Sequence, residues 1–266
     1  MHNKIGSLRF VMMFVLIFAL VAFPGTASAN HSWGKYHWAR TRNPFTLKVG
    51  DNVNSTWDTY LNTAISDWSA STVLDLTKVN GSTTGSTCAP TMGRIEVCNA
   101  AYGTTGWLGI AQIWIARRSH IVQATTKVND TYFNQAQYNT PAWRRLVMCQ
   151  EIAHDFGLDH QDENFNNANL GTCMDYTSDP DGPPSNEHPN QHDFEQLVTI
   201  YTHLDNTSTV GASTPADAPP GFLNANVQAQ ENWGEKVRDS ADGHSALFVR
   251  DFGRGYQVFT FVFWAE

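Results

Sequence analysis

One stretch constrains this chain more than any other: residues 149–162, CQEIAHDFGLDHQD. Glu151 and His154 stand three apart, so on a helix they share a face within one turn. Gly157 follows three residues later, and His160 three after that. Glycine takes the left-handed conformation at a helix end at little cost, so the chain can reverse there. The reversal would bring His160 back beside His154, and two imidazoles and a carboxylate would converge. Such a cluster suits a zinc ion, its bound water and a general base. The preceding residues read as a helix over 141–156. Pro141 suits its first turn, Gly157 its exit, and Trp143, Leu146, Val147, Ile152 and Ala153 its apolar positions. Taken singly, Glu151 reads as a surface carboxylate and each histidine as a core or surface residue. Paired across a glycine turn, the histidines are better ligands than either alone.

From Gln150 onward the stretch resembles the metzincin metallopeptidase signature H-E-x-x-H-x-x-G-x-x-H, with Gln150 where the family has its first histidine. Cys173-Met174-Asp175-Tyr176 is similar to that family's Met-turn, and a looser likeness to a matrixin-type catalytic domain covers roughly residues 42 to 205. The resemblance implies a secreted zinc-dependent endopeptidase. One catalytic zinc would be held by His154, His160 and Gln150. Glu151 would be general base and acid, Met174 would pack beneath the metal, and Tyr176 would steady the tetrahedral intermediate. The Gln150 carboxamide is neutral and reaches about as far as an imidazole, which preserves the charge of the site. Its oxygen is a poorer donor to zinc than an imidazole nitrogen. His188 and His192 are other candidates for the third ligand, with His31 and His37 further away. The alternative reading is a secreted pseudopeptidase or protein-binding module with a weak or empty metal site.

The chain opens with Lys4, Arg9 and no acid, continues with an apolar run over 10–23, and reaches the small-residue pattern Ala27-Ser28-Ala29. That is the pattern of a signal peptide over 1–29, and export is expected. The apolar run is short of the about 20 residues of a membrane span, and no later stretch offers one. No propeptide of usual size fits before the first strand, so the enzyme emerges active or residues 30–42 form a short block. The four cysteines suggest two disulfides in an oxidising compartment. Sequence order favours Cys88–Cys98 and Cys149–Cys173 among the three connectivities. A Cys149 nucleophile beside His154 is the alternative use of that thiol. The formal net charge of −8 argues against nucleic acid or anionic membrane as partner. A protein or peptide substrate and a monomeric state are expected.

Alternation predicts strands over 43–49, 73–79, 94–98, 108–116 and 120–129, and a helix over 51–71 carries Trp57, Tyr60, Leu61, Ala64, Ile65 and Trp68 at helical spacing. A further helix spans 191–204. The fold class is α+β with an α/β-like N-terminal half. The resemblance implies a five-stranded mixed twisted sheet in which residues 109–115 form the edge strand above the cleft, open to an extended peptide; a strand simply buried is the other reading. Arg117 and Arg118 would then favour acidic substrate residues, or serve only as a solvated turn. Asp179-Pro180-Asp181-Gly182 faintly resembles a calcium loop and reads better as a turn. Asp162, Glu163 and Asp175 are candidates for a structural calcium. The domain expected over 30–205 is followed by a polar, proline-bearing linker over 206–221. A β-rich tail over 222–266 ends in a hairpin around Gly253-Arg254-Gly255, either docked on the catalytic domain or forming a small module.

Overall fold

The computed structural model describes residues 31–265, Ser213 excepted; the expected signal peptide lies outside the described residues. In chain order the elements are β1 (His37–Trp38), β2 (Phe45–Asn52), α1 (Asp58–Trp68), β3 (Leu74–Asn80) and β4 (Ile95–Ala100). There follow β5 (Trp107–Ala116), β6 (His120–Asn129), α2 (Asp130–Phe133), α3 (Pro141–His154) and α4 (Gln191–Ile200). The tail supplies β7 (Glu235–Asp239), β8 (Ser245–Asp251) and β9 (Gln257–Trp264). The architecture is mixed α+β: one nine-stranded sheet and four α-helices among the described residues. None of these helices is long and apolar enough to cross a membrane.

The sheet runs β3-β2-β4-β6-β5-β9-β8-β7, with β1 paired to β6. The strands from β1 to β4 and β6 pair in parallel; β5 is antiparallel to both its neighbours, and β7, β8 and β9 form an antiparallel meander. Two expectations are corrected here. The sheet has nine strands instead of five, and β5 is not an edge. The tail docks against it, with Ala111 opposite Phe261 and Gly109 opposite Phe263. The physical reason lies in β5 itself, WLGIAQIWIA, which is buried along its whole length. An edge strand with one wet face would alternate; a continuous apolar run calls for cover on both faces.

That cover comes from two cores. Ala111, Ile113 and Ile115 face the main core, which holds Trp57, Leu61 and Trp68 of α1, Leu146, Val147 and Ile152 of α3, and Phe259, Phe261 and Phe263 of β9. On the other face Trp107, Ile110 and Trp114 pack with Phe222, Val227 and Trp233 from the tail and with Val258 and Val262 of β9. The alternation read from the tail thus sends its phenylalanines to one side and its valines to the other. The segment over 206–221 lies along the fold: Thr209 N donates to Ala39 O at 2.9 Å and Gly211 N to Gly93 O at 2.8 Å. Asp217 receives the guanidinium of Arg117 at 2.6 Å, so that arginine meets an acid of its own chain.

Both disulfides form as sequence order suggests, Cys88 with Cys98 and Cys149 with Cys173. Cys149 is therefore no nucleophile; it ties the middle of α3 to the segment that carries Met174 and Tyr176.

Candidate active site

Helix α3 begins where local chemistry says it should. Pro141 occupies its first turn and the Thr140 side chain accepts from Trp143 N at 3.2 Å, the arrangement of an N-cap. At the other end Gly157 adopts φ +105°, and a Cβ there would lie 2.6 Å from the Tyr36 carbonyl. Only glycine serves at that position. Three tryptophans donate to buried carbonyls of the helix: Trp33 Nε1 to His154 O (3.3 Å) and Trp38 Nε1 to Asp155 O (2.8 Å) at its end, and Trp68 Nε1 to Cys149 O (3.1 Å) further back. Helix ends leave carbonyls that need such donors when buried.

Beyond the glycine the chain doubles back. His154 and His160 come to lie edge to face, with ring centroids 4.6 Å apart. Each imidazole is oriented by a partner on Nδ1: the Leu158 carbonyl for His154 at 2.8 Å, and Glu163 Oε1 for His160 at 2.9 Å. That leaves Nε2 of each ring facing away from its orienting partner, the usual posture of a metal-ligating histidine. Burial, with the His160 ring adjacent, pushes the His154 imidazole well below its ordinary range and keeps it neutral. The His160 hydrogen bond holds Glu163 below the usual carboxylate range.

Gln150 and His154 are four residues apart on α3 and share its face. Both polar atoms of the Gln150 side chain are buried without a hydrogen-bond partner, as are Glu151 Oε2 and His160 Nε2. Each buried, unpaired polar group costs about 1–3 kcal/mol, and this short stretch carries several. Two imidazoles and an amide oxygen are donors of the kind zinc accepts. None of the other candidate histidines joins them. His188 pairs with Asp67 at 2.6 Å, His192 stacks on His31, and His37 belongs to a cluster elsewhere.

Glu151 is fully buried, and desolvation followed by the charge of Asp155 pushes its carboxyl well above the ordinary range. It lies against the backbone of β5: a Cβ on Gly109 would fall 2.6 Å from Val147 Cγ1 and 2.7 Å from Glu151 Oε1. Tyr176 is also buried, its ring 4.6 Å from that of His160, and burial keeps its phenol protonated. Met174 is buried in the same core. Asp162 and Asp175, considered for calcium, are engaged by protein donors: Asp162 by Asn164 N and Asn167, Asp175 by Leu170 N and Asn186.

The tail completes the site, and sequence reasoning did not place it there. The Phe261 ring stacks on His154 at 4.1 Å between centroids, and Phe263 packs on Tyr176 at 4.5 Å. Arg238 of β7 grips Asp159 with two bonds of 2.6 Å and reaches Glu163 at 3.4 Å. Burial alone would push the Asp159 carboxyl up, yet Arg238 holds it below its ordinary range. The one sequence signal for this contact was the apolar continuity of β5, which demanded a neighbour. No protein-family model and no curated protein matches the chain.

Proposed function

We propose that this protein is a secreted zinc-dependent endopeptidase of metzincin type whose cleft is occupied by its own C-terminal strand. The observation that carries the reading is the pairing of His154 with His160, each oriented through Nδ1, next to the unpartnered Gln150 and Glu151 side chains. His154, His160 and Gln150 would hold the ion. Bound there, zinc would supply Lewis-acid polarisation and bring the pKa of a water towards neutrality. Glu151 takes the proton from the attacking water and delivers it to the leaving amine. The Tyr176 phenol, kept protonated, donates to the oxygen on which charge develops.

An extended peptide would pair with β5, the place that β9 fills. Substrate entry therefore requires displacement of β9, and with it Phe261 from His154. The same cover favours a second reading, a pseudopeptidase or protein-binding module in which the closed cleft is permanent and the metal site weak or empty.

The deciding experiment measures zinc content and hydrolysis of a quenched-fluorescence peptide library by the purified mature protein. Assays run in the native buffer and in urea just below the unfolding transition, to test whether loosening β9 exposes activity. About one zinc bound at this site, with hydrolysis abolished by a chelator and by Glu151→Ala, supports the peptidase. Zinc bound without hydrolysis under either condition favours the pseudopeptidase. A protein with no zinc at His154 and His160 and no hydrolysis sinks the peptidase and leaves the pseudopeptidase.

A further inference from the structure

A second group of histidines lies well away from α3. His37 of β1, His203 after α4, and Asp205 place one ligand atom each within 4.8 Å of one another. The distances are informative. His37 Nε2 lies 3.2 Å from His203 Nε2 and 3.4 Å from Asp205 Oδ1, and His203 Nε2 lies 3.7 Å from that same oxygen. A further nitrogen, His120 Nε2 at the start of β6, stands 3.3 Å from Asp205 Oδ1. A tetrahedral zinc with bonds of about 2.0 Å has ligand atoms about 3.3 Å apart, so the His37, His203 and Asp205 spacings are those of three corners of a coordination polyhedron; His120 touches Asp205 but stands outside that trio.

The surroundings fix the right atoms. His37 Nδ1 lies 2.8 Å from the Lys35 carbonyl, which places the ring proton on Nδ1 and leaves a lone pair on Nε2. Asp205 Oδ2 is held by the Arg40 backbone at 3.2 Å and its guanidinium at 3.1 Å; His37 Nε2 lies 3.4 Å from each carboxylate oxygen, and Oδ1 is the one that also meets His203 and His120. Two imidazole nitrogens aimed at each other at 3.2 Å need a proton or a cation between them.

We infer that His37, His203 and Asp205 form a three-residue zinc site, distinct from the candidate active site, with His120 pairing with the Asp205 ligand from outside. Imidazole-rich sets of this kind select zinc among the common divalent cations, with copper and nickel as competitors. The ion would staple the N-terminal segment to the chain leaving α4. It would bring together residues more than 160 positions apart, and its role is structural. The inference does not rest on the proposed peptidase function.

The test is zinc stoichiometry on the full mature chain after equilibration with zinc and removal of excess, paired with competition against a chromophoric chelator. His203 is more than half exposed, so His203→Ala leaves the fold intact. His160→Ala empties the other site, and in that background cobalt(II) should give the visible absorption of a tetrahedral nitrogen-rich centre. The expected result is one zinc equivalent that survives His160→Ala. His203→Ala should weaken it by at least 100-fold, since even an outer-shell change costs about 10–100-fold. His120→Ala, which removes only a partner of Asp205, should weaken it by no more than about 10–100-fold. That result stands whether or not the site at His154 binds metal. Zinc content and cobalt absorption indifferent to His203→Ala would overturn the inference, as would a His160→Ala protein that holds no zinc.

Discussion

Phe261 lies nearly parallel to His154, with 13° between the ring planes and 4.1 Å between centroids. One side chain of the tail thus covers one proposed ligand of α3. Phe261→Ala removes that cover and a buried aromatic from the main core. The substitution should cost about 3–5 kcal/mol of stability and increase the rate at which zinc exchanges at His154. Stopped-flow zinc release to a chelator, with a urea unfolding curve beside it, measures both. Release unchanged by the substitution would mean the tail does not gate the site.

Gln150→His converts the amide oxygen to an imidazole nitrogen at the position the metzincin pattern gives to histidine. Zinc affinity at this site should rise at least about 10-fold if Gln150 is a ligand, because outer-shell changes alone move it by about 10–100-fold. Competition with a chelator, made in the His203→Ala background, reads this site alone. Unchanged affinity would show that Gln150 does not touch the ion.

Gly109→Ala places a methyl group against Val147 and Glu151 at distances well inside van der Waals contact. The overpacking should cost about 1–3 kcal/mol, read as a shift in the denaturant midpoint at constant slope. By moving the carboxyl of Glu151 it should lower kcat for peptide hydrolysis more than it changes KM. Neutral stability would mean that α3 can shift away from β5.

Lys127 offers a pH prediction independent of any metal. Its ammonium is buried, donates to Gln112 Oε1 at 2.9 Å and Gln228 Oε1 at 3.1 Å, and desolvation lowers its pKa from 10.5 to about 7. Between those values the unfolded chain is protonated there and the native one is not. The unfolded state then binds more protons, so this group's contribution to stability rises with pH from about 7 to about 10.5. Relative to Lys127→Met, the wild-type protein should gain stability over that window and level off below it. Paired urea titrations at pH 7 and pH 9.5 check the sign; parallel curves would contradict it.

Much of this fold was legible where the signal was local. Pro141 and Gly157 mark the ends of the active-site helix, alternation marks the strands from β2 to β6, and Gly253-Arg254-Gly255 marks the final turn between β8 and β9. The helix expected over 51–71 begins only at Asp58, because β2 runs on to Asn52 through its pairing with β4. What local signals cannot supply is partnership across distance. The hairpin was readable, but nothing in its own residues says that β9 takes β5 as neighbour. The apolar run of β5 did say that some neighbour was required. Likewise His37 and His203 carry no shared motif, and only the closing of the sheet by β1 and the exit of the chain from α4 bring them together. Short β1, α2 and β7 escaped detection because elements of two to five residues carry too little periodicity to register.

The docked tail also relocates the sheet's open border. Without it, the free rim would be WLGIAQIWIA, ten residues of bare amide ladder flanked by tryptophan and isoleucine. With it, the rim is EKVRD, a short strand largely exposed and mostly charged. Charged, brief rims discourage sheets of neighbouring molecules from joining edge to edge. A chain truncated before β7 is therefore expected to self-associate into β-rich aggregates even if its cleft lies open, so any physiological opening must swing the hairpin aside without severing it.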